Sequence, residues 1–167
     1  LFFTTKNSEI NRMDKKTFLA RNLRKIEVNS EGFYLEYFKK SNLLVSGFSN
    51  GFTYFDDLAL NQSYELKYSL KKIVQLDHKY YAVIGTGYAG FFHLPNTKQT
   101  SSKFDKYIQK LPEVINDQLS FYRLKGSISE VRGKSLVYDS INQTVYFVNV
   151  DGLFTWKNGV VNEIRAN

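Results

Sequence analysis

The chain has 167 residues, 43% hydrophobic and 23% charged, with 23 Lys and Arg against 16 Asp and Glu for a net charge of +7. That length suits one domain with a substantial core, and the composition is that of a folded chain, not a disordered tail. Cysteine is absent, which excludes disulfides, thiol nucleophiles and thiolate metal sites, and two histidines are the only imidazoles.

Fourteen Phe, 12 Tyr and one Trp stand against alanines at positions 20, 59, 82, 89 and 166 only, a balance that favours strands over helices. No apolar run approaches the roughly 18 residues that a membrane-spanning helix needs. The chain opens inside an apolar run, Leu1-Phe2-Phe3, with neither an initiator Met nor a signal-peptide pattern, and is expected to be a piece of a longer protein.

Taken in chain order, one device recurs. Residues 1–16 (LFFTTKNSEINRMDKK) read as two strands about a turn at Lys6-Asn7-Ser8, followed by a polar strand over 18–22. Residues 32–38 (GFYLEYF) predict a strand. Residues 43–57 (LLVSGFSNGFTYFDD) then predict a hairpin with Asn50-Gly51 at its turn, and 64–68 (YELKY) an alternating outer strand.

The third copy has a strand over 71–77 and the hairpin YYAVIGTGYAGFFHLPN over 80–96, turning at Gly87 to Gly90. An insertion over 97–125 follows. Ser102, Phe104, Tyr107, Ile108, Leu111, Ile115 and Leu119 have helix-like spacing there, interrupted by Pro112, and predict an outer connection with one or two helical turns. The last copy has strands over 134–139 and 160–164 around the hairpin TVYFVNVDGLFTWKNG, residues 144–159, with Val150 to Gly152 at its turn.

Aligning the turns on Glu9, Gly51, Gly90 and Gly152 gives spacings of 42, 39 and 62 residues. Two match the repeat of a propeller blade, about 40 to 45 residues, and the third carries the insertion. The expected fold is all-β: four-stranded antiparallel meander sheets, the blades of a β-propeller, forming a fragment of a larger propeller. The blades fall at 1–30 (lacking the innermost strand), 31–70, 71–125 with the partly helical insertion, and 126–167.

Gly85-Thr86-Gly87-Tyr88-Ala89-Gly90 is a literal G-x-G-x-x-G after a strand, as in dinucleotide sites. Such a site needs a helix after Gly90, where the sequence has Phe91-Phe92-His93-Leu94-Pro95, so a glycine-rich hairpin is the better reading and no cofactor is expected. His78 and His93 share no ligand spacing, and Asp56-Asp57 read as turn residues, so neither a metal site nor catalytic residues are expected. Basic pairs at Lys15-Lys16, Lys39-Lys40 and Lys71-Lys72 fall at turns and strand starts, where solvated lysines are ordinary, and nucleic acid is not an expected partner.

The order strand, Asp, short turn, strand, Asp/Asn-Gly, aromatic strand, polar turn is clearest in SLVYDSINQTVYFVNVDGLFTWKNGVVNEI, residues 135–164. It resembles the two-component regulator propeller repeats of bacterial sensor proteins. Those repeats often place a Trp in the second strand, where this chain has Leu43-Leu44, Tyr81 and Tyr146. The resemblance implies a non-catalytic, periplasmic or extracytoplasmic sensor module of a larger signalling regulator, responding to glycans or other polar ligands. Its partners would be the remaining blades and domains of the parent, a glycan or other polar ligand, and a second copy in a homodimer formed through the parent. A protein-interaction scaffold of a surface or secretion protein is the alternative function, and a dinucleotide-dependent enzyme is the third.

In a propeller, turns between second and third strands gather on one rim and read ligands together. Those turns offer Asn7, Asn50, Tyr88, Asn149 and Asp151 as candidate ligand-binding residues.

Overall fold

A computed structural model describes residues 2–4, 9–25, 32–48, 51–56, 60–65, 69–93, 100–116 and 119–164. The described residues form antiparallel sheets with two single-turn helices, and the chain divides into two compact units, Leu1–Leu70 and Lys71–Asn167.

In the first unit, β1 (Phe2–Thr4), β2 (Glu9–Met13) and β3 (Ala20–Lys25) make a three-stranded meander. The turn into β3 is built on Asp14, whose carboxylate accepts the amides of Lys16 and Thr17 at 2.8 and 3.0 Å. Next come β4 (Gly32–Phe38), β5 (Leu43–Phe48), β6 (Gly51–Asp56) and β7 (Leu60–Glu65), a four-stranded meander in chain order. All six residues of β5 are buried, as a strand covered on both faces requires.

The second unit opens with β8 (Leu70–Gln75), β9 (Tyr80–Gly85) and β10 (Tyr88–His93). After α1 (Asp105–Ile108), the chain returns through β11 (Glu113–Asn116) and β12 (Leu119–Arg123), giving the sheet order β8-β9-β10-β12-β11. Following α2 (Ser127–Glu130), β13 (Gly133–Asp139), β14 (Thr144–Asn149), β15 (Leu153–Lys157) and β16 (Val160–Ile164) make another four-stranded meander.

These two sheets share one core. Tyr80, Ala82 and Ile84 of β9 and Ala89 and Phe91 of β10 pack in a cluster with Leu136, Val145, Phe147, Phe154 and Trp156. Alternate residues along each strand point to one face, so this set is the inward row of each strand. The Phe91 ring lies 4.5 Å from that of Trp156 and 6.3 Å, edge-on, from that of Phe147. Burying each such side chain contributes about 1.5–3 kcal/mol. The chain is thus all-β, built of antiparallel sheets of the propeller kind, two of them four-stranded meanders in chain order.

Among the described residues of the insertion Asp105–Ile108 is helical, one of the one or two turns expected, whereas Ile115 lies in β11 and Leu119 in β12. Pro112 cannot continue a helix, and the residues beyond it pair as a hairpin that supplies the fourth strand of this sheet, β12 beside β10, and a fifth. What remains of the helix packs inward: Phe104 and Ile108 are buried in the core, and the Phe104 ring stands 6.1 Å from Trp156. Two outer strands are also displaced from their expected bounds: β3 begins at Ala20 and β7 spans Leu60–Glu65.

A feature with no obvious sequence signal repeats in two blades. In β4, Gly32 pairs with Phe48 and Tyr34 with Gly47; in β13, Gly133 pairs with Asn149 and Ser135 with Val148. Each first strand therefore carries one extra residue, a β-bulge, directly after its opening glycine.

Candidate functional site

The turns of the second unit are the described part of the candidate rim. Gly85 pairs with Tyr88, so the β9–β10 turn consists of Thr86 and Gly87 alone, with Gly87 at φ 74°. The turn expected at Gly87 to Gly90 is therefore shorter, and Tyr88 to Gly90 already belong to β10.

Strand β10 occupies the place where a dinucleotide site needs a helix, so no helix N-terminus faces these glycines. The glycines have local reasons instead. Gly87 adopts a left-handed conformation, and a Cβ on Gly90 would collide with the Tyr122 carbonyl of the neighbouring strand.

The β14–β15 turn is organised by Asn149. Its Oδ1 accepts the amides of Asp151 at 2.9 Å and Gly152 at 3.0 Å, and its Nδ2 donates to the Ser127 carbonyl at 2.8 Å. An Asn side chain does this because its oxygen can mimic a backbone acceptor two residues away.

One segment ties the two turns together. Gly87 N donates to the Val131 carbonyl at 3.2 Å, Thr86 bridges to Arg132, and Val150 N donates to the Arg132 carbonyl at 3.1 Å. Gly133 then packs so closely that a Cβ there would collide with Ile84 and the Gly85 carbonyl. The rim of this unit is thereby a braced surface and not a set of independent loops.

Of the five candidate residues, Asn7 and Asn50 lie outside the described residues. Tyr88 is 4% exposed, its ring edge-on to Phe121 at 6.0 Å, and its hydroxyl has no hydrogen-bond partner. Burial pushes that hydroxyl well above its ordinary pKa. Asn149 is buried, with its amide engaged by backbone. Asp151 is exposed at the tip. The structure thus brings Asn149 and Asp151 together in one turn, with Tyr88 sunk at the start of β10.

Charge gathers here in a way the basic pairs did not suggest. Arg132 and Lys134 are exposed beside the β9–β10 turn, and Arg123 donates to the Gly87 carbonyl at 3.1 Å. Sequence adjacency could not find this grouping, because it depends on two sheets meeting at Gly133.

At the other end of the β8–β9 hairpin lies a second polar cluster. The Asp77 carboxylate accepts the amides of Lys79 and Tyr80, both at 2.8 Å, and the Ser102 hydroxyl at 2.5 Å. Asp105 accepts Lys79 Nζ at 2.8 Å, the Tyr80 hydroxyl at 2.7 Å and Ser102 N at 2.7 Å. Burial pushes the Asp105 carboxyl up, but these donors outweigh it and hold the group below the ordinary carboxylate range. Burial and the Asp105 hydrogen bond push the Tyr80 hydroxyl far up. These partners satisfy one another and pin α1 to the sheet.

His93 is buried at 3% exposure, its ring 5.8 Å from Tyr80 and 6.0 Å from Tyr122, whereas His78 is exposed in the β8–β9 turn. Among the described residues no group of three His, Asp or Glu side chains could hold a metal ion, and no helix is long and apolar enough to cross a membrane.

No protein-family model matches this sequence. No curated protein matches it either. The fold does have solved counterparts. A chain in a crystal structure of a mitotic checkpoint complex superposes with a TM-score of 0.63 at 10% identity, over 92% of this chain. This chain spans 44% of that larger one, and the likeness is one of fold.

Proposed function

We propose that this chain is a non-catalytic recognition module, a run of blades within a larger β-propeller, serving as the sensing part of a bacterial regulator. The observation that carries the reading is the outer face of the last sheet. Val137 pairs with Tyr146, and Val148 with Leu153 and Ser135, so these residues share the face turned away from Phe147 and Trp156. On it Val137 is 61% exposed, Val148 37% and Ile164 44%.

The corresponding face of the preceding sheet, with Tyr80, Ala82 and Phe91, is buried under β13–β16. By repetition, the outer face of β13–β16 is one that a further blade would cover, since each repeat buries its faces against neighbours. Braced turns beside that face suit ligand recognition, with Asp151 the exposed candidate, and the repeat resemblance supports an extracytoplasmic sensor of glycans or other polar ligands. The interaction-scaffold reading draws on the same apolar face, which a foreign protein surface would cover in place of a blade.

Sedimentation and apolar-dye binding test the propeller part. The chain as it stands should self-associate or bind the dye, and Val137→Asp with Val148→Asp should abolish both; a monomeric, dye-silent wild-type form of this chain would count against it. Thermal shift against neutral and acidic oligosaccharides tests recognition, with the Asp151→Ala variant as the comparison.

A further inference from the structure

The turn between β2 and β3 is short, closed and apolar at its tip. Asp14 N donates to the Leu19 carbonyl and Phe18 N to the Asp14 carbonyl, both at 3.0 Å, and Leu19 N donates to Thr17 Oγ1 at 3.4 Å. With the Asp14 carboxylate holding the amides of Lys16 and Thr17, residues 14–19 form one hydrogen-bonded unit. Phe18 and Leu19 are nevertheless each 72% exposed.

Phe18 also occupies a left-handed conformation, φ 55°. The other described residues with positive φ are Asn42, Gln143, Asn158 and glycines. Asn and Gly take this conformation at low cost, whereas a bulky aromatic residue is strained in it. Neither turn chemistry nor core packing therefore accounts for Phe18. An adjacent aromatic and aliphatic pair, held out in water at a strained position, points to a partner that covers it.

Basic side chains flank the pair. Lys15 and Lys16 lie in the same turn, and Arg12 pairs in register with Arg21 on the strands that enter and leave it; all four are exposed. Like charges directly opposite on paired strands repel, so the fold gains nothing from that match. Asp14 is the one acid among residues 12–21, and its carboxylate is engaged by the turn amides.

We propose that the β2–β3 turn is a docking tip for an anionic lipid surface, with Phe18 and Leu19 entering the interface and Arg12, Lys15, Lys16 and Arg21 meeting the phosphate headgroups. The proposal stands apart from the recognition reading above. Buried apolar area and attraction of cations to anionic lipid add in such binding. A bilayer yields around a protruding pair of side chains, where a protein surface would have to offer a pocket rimmed with acids. The hydrogen bonds that close the turn hold it ready, so little order is lost on docking.

The test is co-sedimentation of the full chain with vesicles of phosphatidylcholine mixed with phosphatidylglycerol, and with vesicles of phosphatidylcholine alone. The mixed vesicles should bind the chain and the neutral ones far less. Phe18→Asn should weaken binding by about tenfold while leaving the melting temperature unchanged or higher, because Asn tolerates the left-handed conformation. Lys15→Ser with Lys16→Ser should also weaken it by about tenfold or more. Lys39→Ser with Lys40→Ser, which removes the same charge from another exposed turn, should change it little. Equal losses in the two lysine double variants, or binding that ignores Phe18→Asn, overturn the tip. Equal binding to both kinds of vesicle, or to neither, overturns the proposal as well. Self-association that Phe18→Asn abolishes, without vesicle binding, assigns the tip to a second copy and overturns the lipid surface. None of these outcomes bears on oligosaccharide binding at Asp151, which the thermal-shift comparison decides separately.

Discussion

Lys79 and Asp105 stand 26 residues apart and meet at 2.8 Å, with the lysine side chain 3% and the aspartate side chain 24% exposed. This pair joins the β8–β9 turn to the one-turn helix of the insertion, which carries Phe104 and Ile108 into the core. Asp105→Ala should destabilise the chain by about 2–4 kcal/mol, since it leaves a buried ammonium without its partner. Urea denaturation measures the loss. Adding Lys79→Met should recover part of it, because the uncompensated charge is then gone; a double variant as unstable as the sum of its parts would show that the pair is not coupled.

Asp105 also sets a pH dependence. Its folded pKa lies below the ordinary 3.8. A depressed carboxylate contributes stability that is fully present above the unfolded pKa and lost as pH falls through the folded one. Acid titration of the wild type should therefore lose more stability below that ordinary value than Asp105→Asn does, monitored by Trp156 fluorescence. Parallel acid curves would remove Asp105 from the explanation.

Three glycines separate contact from conformation. Gly133→Ala and Gly90→Ala each place a Cβ against backbone or a packed side chain, while Gly152→Ala meets nothing within 4 Å. The first two should cost about 1–3 kcal/mol or more by overpacking, lowering the melting temperature by several degrees, and Gly152→Ala should be nearly neutral. Calorimetry on the three variants decides it.

Asn149 and Asp151 should behave oppositely. Asn149→Ala removes the acceptor for two turn amides and the donor to Ser127, and should cost about 1–3 kcal/mol. Asp151 is exposed, and Asp151→Ala should leave the melting temperature within about a degree. A ligand effect is therefore to be sought at Asp151, where it is not mixed with folding; the two melting curves check the contrast.

The blades were legible because their signals are local. A strand alternates faces every two residues, and its turns draw on Asn, Asp and Gly within a few positions, so Asp139 and Asn149 mark ends of β14's neighbouring turns in the sequence as in the fold. The glycine motif also read correctly as a hairpin, because Phe91 and Phe92 and then Pro95 follow too soon for a helix. Where local signals conflicted, they were partial: the apolar spacing from Phe104 to Leu119 predicts one or two helical turns, of which Asp105–Ile108 forms one, and pairing of β12 with β10 decided the rest.

That the chain is all-β and repeated follows from residues close together in the chain, since periodicity and turn chemistry are properties of neighbours. Which polar groups hold the fold and which stand open depends on contacts made by folding. Asn149 and Tyr88 looked alike as turn-proximal polar residues, yet one is held by three hydrogen bonds and the other is buried against Phe121. The placing of Arg132 against the β9–β10 turn likewise needs two sheets to meet at Gly133, where the absence of a side chain lets their backbones touch. Burial and charge proximity are sums over residues distant in the chain, and folding is what sets them.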